Sequence, residues 1–168
     1  MTTAAPTART TQRPPLRLTL GLPWPVLAVL VALAAPRVVV HDLALVAPDS
    51  SLTGVLALVP LAVWVLVAAL WSPRPAVSLL AAGAGYGMVL AAVHNLAWAT
   101  VWAGDPPRLG GSLAGAWSPV TEEILLRGAT VLGSLGTGLV VGAVTGALAW
   151  CVRALGQRLG GSPAGSSG

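Results

Sequence analysis

Apolar residues fill this chain in long blocks with few charged interruptions. Between Arg17 and Arg37 lie 19 uncharged residues, between Asp49 and Arg74 24, between Arg74 and Asp105 30, and between Arg127 and Arg153 25. A helix needs about 20 apolar residues to cross a bilayer core. The blocks therefore predict four spanning helices, over about 24–46, 52–71, 77–102 and 121–152. The first carries Pro36, Arg37, His41 and Asp42 within it. A barrel strand would alternate apolar and polar positions, and the run Leu61 to Leu70 does not. A helix also satisfies its own backbone polar groups in hydrocarbon, and tolerates a kinking proline there, as expected at Pro60. The fold class that follows is an all-α integral membrane protein, a four-transmembrane-helix bundle with both termini cytoplasmic.

Composition agrees with this reading. Of 168 residues 55% are hydrophobic and 8% charged, with a mean hydropathy of +0.82. A soluble domain carries roughly 25% charged residues, so a soluble globular domain is excluded. A disordered chain is excluded by the hydrophobicity, and a disulfide framework by Cys151 being the single cysteine. The length allows one domain. Residues 1–20 and 158–168, rich in Thr, Pro, Gly and Ser, read as a disordered head and tail around a transmembrane domain at 21–157.

Charge sets the expected orientation. The head carries Arg9, Arg13 and Arg17, the second loop Arg74, and the tail Arg153 and Arg158. All fall on one side of a four-span topology, and the positive-inside rule makes that side cytoplasmic. Trp24, Trp71 and Trp150 fall at inner ends; Trp98, Trp102 and Trp117 fall at or beyond outer ends, as an aromatic belt requires. Nine arginines without a lysine, amid heavy Ala, Gly, Pro and Val, suggest a GC-rich bacterial genome and hence a bacterial plasma membrane. The net charge of +4 comes with no basic face bearing stacking aromatics, so lipid rather than nucleic acid is the expected partner. Ala32-Leu33-Ala34 resembles a signal-peptide cleavage site. Pro23 and Pro25 interrupt that segment and hydrophobicity resumes at Val38, so the first span is expected to be retained.

Small residues recur every four positions at Ser134, Gly138, Gly142 and Gly146, and at Gly83, Gly87 and Ala91. Such stripes let helix backbones approach closely in lipid. They serve packing within the chain, or a homo-oligomer or helix partner through Gly138, Gly142 and Gly146. At about 100° per residue, Glu123 and Arg127 share the packed face of the fourth span. Glu122 points away, towards the interface or the third loop. His94 lies inside the stripe of the third span and Asn95 about 120° from it.

Polar residues gather in one half of the predicted bundle. At about 1.5 Å per residue, Arg37, His41 and His94 are each roughly 20–27 Å up spans that run outward. Glu122, Glu123 and Arg127 open the fourth span from that same side. The predicted cluster is Arg37, His41, Asp42, His94, Asn95, Glu122, Glu123 and Arg127. Ionisable residues in a membrane segment are costly and mark function by default. His41 and His94 with carboxylates can form a site for a divalent metal such as Zn²⁺, or a proton relay. The same charges can also close into an ion-pair network that locks the helices. The third loop, Ala103–Trp117, reads as a surface loop. Cys151 at the inner end of the fourth span reads as inert.

The string Thr121-Glu122-Glu123-Ile124-Leu125-Leu126-Arg127-Gly128 resembles the first motif of the CAAX-processing and bacteriocin-processing membrane proteases, Glu-Glu-x-x-x-Arg. The resemblance implies Glu122 and Glu123 as the pair that activates water and Arg127 as the residue that holds it in place. It covers eight residues. The family's later His-bearing motifs have no counterpart after Arg127, so His41 and His94 would have to substitute from upstream. The same string also suits a helix start. Ser118 can cap, Pro119 fits the first turn, acids favour the N-terminus, and Glu123 and Arg127 form an i,i+4 pair. Two expectations follow: a metal-dependent or glutamate-type membrane hydrolase of unstated substrate, or a non-catalytic structural or accessory membrane protein whose cluster locks its helices. A permeation role is disfavoured, because the inner halves of the spans lack ionisable residues.

Overall fold

The computed structural model describes residues 20–43, 45–47 and 50–160. Most of the predicted head and the tail beyond Gly160 lie outside them. Helix α1 runs Trp24–Asp42, α2 Ser51–Trp71, α3 Pro75–Leu96, a one-turn α4 Trp98–Val101, and α5 Pro119–Gly160; a short 3₁₀ turn covers Gly111–Leu113. Four of these helices are long and apolar enough to cross a membrane. The described residues contain no strand.

The helix boundaries have local causes. Pro23 accepts from the Val26 amide at the start of α1, and Pro25 occupies its first turn, where no amide is needed. Ser50 caps α2 through its hydroxyl, which accepts from the Thr53 amide at 3.2 Å. Pro73 and Pro75 separate α2 from α3, and Pro75 begins α3. Ser118 accepts from the Thr121 amide at 3.3 Å and caps α5.

Three boundaries differ from expectation. α1 ends at Asp42, not near 46. The third span stops at Leu96, and a break at Ala97 leads into α4. α5 has 42 residues and continues through Arg158 to Gly160. At about 1.5 Å per residue it is roughly 63 Å long, twice the bilayer core. Nothing in its sequence stops it at the membrane surface, since Arg153, Gln157 and Arg158 are good helix formers.

The main helices form a ring in the order α1–α2–α5–α3, with α3 against α5 the most extensive pairing. This seam is where both glycine stripes go. A Cβ on Gly83 would stand 2.7 Å from the Gly142 Cα, and one on Gly142 would stand 2.5 Å from the Leu79 carbonyl oxygen. A Cβ on Gly87 would stand 2.9 Å from the Leu135 Cα, and one on Gly146 3.0 Å from the Ala76 Cα. The helices touch backbone to backbone in antiparallel register. The stripe at Gly138, Gly142 and Gly146 is thus filled by α3 of the same chain. On the outer faces, Val29, Leu58, Leu66, Leu132, Val140 and Leu148 are exposed. Apolar surface of that extent fits contact with a membrane or with another protein.

Polar side chains within and at one end of the bundle are spent on joining elements. Trp64 is fully buried; its indole N–H donates to the Leu30 carbonyl at 2.7 Å, and its ring meets Tyr86 edge-on. Near the start of α1, Ser72 and Ser78 are both fully buried. A continuous chain of bonds satisfies them: the Arg74 amide donates to Ser72 Oγ at 3.0 Å, the Ser72 hydroxyl to Ser78 Oγ at 2.7 Å, and the Ser78 hydroxyl to the Leu20 carbonyl at 2.6 Å. Arg153 on α5 donates to the carbonyls of Ala69 and Ser72, a cation at the C-terminus of α2.

Candidate functional site

The opposite end of the bundle holds the predicted cluster, and the structure divides all of it but Arg37 into two groups. The first begins on α3 and α5. Antiparallel packing sets Arg127 level with the end of α3. Its guanidinium Nε donates to Glu123 Oε1 at 2.8 Å, and an Nη donates to the Asn95 backbone carbonyl at 3.0 Å. The Arg127 guanidinium carbon also lies 4.9 Å from the centre of the Trp98 ring. Arg127 therefore ties α5 to the exposed end carbonyl of α3 and to α4. Asn95 contributes its backbone; its side-chain amide donates back to Ala91.

Of the two glutamates, Glu122 meets the third loop as the helical wheel leads one to expect, and Glu123 departs from it. Glu123, expected on the packed face, is half exposed, at 48% of its side-chain surface. Glu122 is the buried member, and its Oε1 accepts from the Leu109 backbone amide. That bond draws the third loop down onto the start of α5, and Pro107 lines a cavity there. One bond thus ties the loop to the start of α5 at Leu109; apart from Pro107 and Leu109 its residues are exposed, as a surface loop requires.

The second group is His41, Asp42 and His94. The Asp42 side chain is 4% exposed, although it sits in the last turn of α1. Its Oδ1 lies 3.2 Å from His94 Nε2 on α3 and 3.4 Å from Nδ1 of its neighbour His41. The His94 ring is oriented from the other side: Nδ1 lies 2.7 Å from the Leu90 carbonyl. A carbonyl has no proton to give, so Nδ1 carries the hydrogen and Nε2 faces Asp42. His41 is mostly exposed, at 63%.

Two buried side-chain atoms lack a partner among the described residues: Arg37 Nε and Asp42 Oδ2. Both residues border a small cavity of about 140 Å³ between α1 and α3. A larger cavity of about 540 Å³ lies against His41, Asp42 and His94, with walls from Trp98, Val101, Trp102 and from Leu126, Ala129 and Thr130 of α5. Glu122, Glu123 and Arg127 do not line it.

His41 and His94 both approach Asp42, which the sequence reading placed only in the wider cluster. Among the described residues, however, no three His, Cys, Asp or Glu side chains are arranged to hold a metal ion. The partner that matters to His94 is Asp42, 52 positions away, and no local spacing signals that pair. Comparison with known protein families, curated proteins and solved structures finds no match for this chain.

Proposed function

We propose that this chain is a non-catalytic multi-pass protein of the bacterial plasma membrane, with both ends cytoplasmic, whose Glu-Glu-x-x-x-Arg string is a structural lock. The observation that carries this reading is that each side chain of the string already has a structural task. Glu122 holds the Leu109 amide, Glu123 holds Arg127, and Arg127 holds the Asn95 carbonyl and the face of Trp98. A water-activating glutamate pair needs a free carboxylate facing a substrate cavity, and neither glutamate lines the larger cavity at this end. The arginines at the Arg74 and Arg153 end support the orientation.

A second reading, the metal-dependent hydrolase, is favoured by one observation: His41, Asp42 and His94 meet at 3.2 and 3.4 Å. Metal content per chain separates the two readings. The test uses purified protein after incubation with Zn²⁺, beside a His41→Ala/His94→Ala double variant. The lock reading expects substoichiometric metal in both. Near-stoichiometric metal that the double variant loses would overturn it in favour of the hydrolase.

A further inference from the structure

The end of the bundle away from the polar cluster carries a second polar cavity. On α5, Gly146, Trp150, Arg153 and Gln157 follow at steps of four, three and four, so they share one helix face. Gly146 meets the start of α3, where an added Cβ would stand 3.0 Å from the Ala76 Cα. α3 begins at Pro75, whereas α5 runs on to Gly160. The continuing face of α5 therefore outlasts its helical partner. A cavity of about 270 Å³ opens there, bounded by Pro73 and Pro75 and by Trp150, Arg153 and Gln157.

Arg153 is the charged group of this cavity, and its position is fixed. Its Nη1 donates to the Ala69 carbonyl at 3.2 Å and to the Ser72 carbonyl at 2.8 Å. Those two bonds use both Nη1 hydrogens. Nε and Nη2 remain, and together they form one edge of the guanidinium fork, the edge that grips an oxyanion with two parallel bonds. Neither atom is sealed inside the bundle without a partner. Among the described residues no carboxylate pairs with Arg153. The described acids Asp42, Asp105, Glu122 and Glu123 all belong to the opposite end, while Arg74 and Arg158 stand at this one. An anchored, unpaired guanidinium fork beside a cavity calls for an oxyanion.

The surroundings say which kind. Trp24, Trp71 and Trp150 are all exposed at this end. Exposed tryptophans at the ends of spanning helices sit at the level of lipid headgroups. Val77 and Leu80 of α3 and Leu148 of α5, within two turns of the cavity along their helices, are exposed and offer apolar surface to acyl chains. Gln157 brings an amide that both donates and accepts, which suits a headgroup hydroxyl.

We propose that this cavity binds the phosphate of an anionic phospholipid, with the Nε–Nη2 edge of Arg153 on the phosphate oxygens and Gln157 on the headgroup hydroxyls. A choline headgroup brings no hydroxyl for Gln157, and its cation meets an end that carries only positive charge. Free phosphate has the same oxyanion chemistry and is separated from the lipid by competition. The inference rests on the reading of the chain as a membrane protein, and it uses neither the lock nor the histidines.

Co-elution of the full chain with phosphatidylcholine nanodiscs checks the membrane reading first; a chain that does not enter the discs overturns that reading and this site with it. The site itself is tested by native mass spectrometry of the chain in detergent micelles, titrated with phosphatidylglycerol or phosphatidylcholine of matched acyl chains. One phosphatidylglycerol should bind saturably, at least fivefold tighter than phosphatidylcholine. Arg153→Lys keeps the charge but loses the fork, and should lower that affinity several-fold, its melting temperature reporting the fold. Gln157→Ala should reduce the preference over phosphatidylcholine. Arg158→Gln removes a cation that does not line the cavity and should change the affinity less than twofold. Equal affinity for the two lipids, or adducts that never saturate, overturns the proposal on the wild type alone. So does undiminished binding by a folded Arg153→Lys, or a loss in Arg158→Gln as large as in Arg153→Lys, which would mean diffuse charge attraction. Displacement of the lipid by millimolar inorganic phosphate assigns the site to free phosphate, and retention assigns it to the lipid; both support a phosphate site. A chain that enters the discs yet shows no lipid preference fails the site alone.

Discussion

Replacing Gly83 by alanine should weaken the α3–α5 seam by an amount that can be worked from contact distances. The added Cβ would sit 2.7 Å from the Gly142 Cα, with the Gly138 carbonyl closer still. Carbon atoms pack at about 3.5–4.0 Å, so the helices must part by roughly 1 Å. A gap of that size forfeits a quarter to a half of each contact's attraction, at about 0.1–0.2 kcal/mol per atom pair. If about 30 pairs along the seam lose a third of their attraction, the loss is about 1.5 kcal/mol. That lies within the ~1–3 kcal/mol usual for overpacking. Alanine is the better helix former by about 1 kcal/mol, and this gain must be measured separately. Gly133 and Gly136 serve as the reference, because a Cβ at either meets nothing within 4 Å. Gly133→Ala and Gly136→Ala should be neutral or stabilising by up to about 1 kcal/mol. Reversible unfolding of purified protein in mixed micelles, titrated with dodecyl sulfate and followed by tryptophan fluorescence, compares the variants. Gly83→Ala should unfold at lower denaturant than Gly133→Ala. The double variant Gly83→Ala/Gly138→Ala should lose less than the two single losses together, because one separation of the helices accommodates both methyls. If Gly83→Ala is as harmless as Gly133→Ala, the backbone-contact seam is wrong.

Arg127→Met should lower stability in the same assay by about 1–2 kcal/mol, through the lost charged bond to Asn95 and the contact with Trp98. Glu123→Ala should cost under about 0.5 kcal/mol, since that i,i+4 pair is half exposed and screened; equal losses would contradict the assignment of the lock to Arg127 and the α3 end. Glu122→Ala should release the third loop, read as faster amide hydrogen exchange at Leu109 with slower change in the α3–α5 seam; unchanged exchange there would remove the loop tether. Ser78→Ala should cost about 1–3 kcal/mol, because it strands a buried Ser72 hydroxyl and the Leu20 carbonyl, and a melting temperature equal to wild type would break the proposed hydroxyl chain.

Much of the fold was legible because its causes are local. Uncharged runs of spanning length mark α1, α2, α3 and α5, and the cap at Ser118 stands where a short polar residue precedes an apolar run. The small-residue stripes were legible too, since a four-residue period places Gly83, Gly87, Gly138 and Gly142 on single faces. The Glu123–Arg127 bond follows from the same period. Expectation failed where a local rule had no stop signal. Bilayer thickness suggested that the last span ends near 152, yet backbone hydrogen bonding continues through Gly160 because no residue interrupts it.

The amino-acid sequence by itself determined which segments become apolar helices and which faces are smooth enough to meet, since both depend on residues within a turn or two of one another. Only the tertiary structure decided the long-range partners of the polar residues. The wheel turned Glu122 towards the third loop, but only packing chose Leu109, 13 positions away, as its donor and buried it there, while Glu123, placed inward by the wheel, is half exposed. Asp42 became the partner of His94 because α1 and α3 pack side by side and bring their far ends level. Hydrogen bonds form between atoms a few ångströms apart in space, and residues 52 positions apart reach that distance only when the helices that carry them have packed.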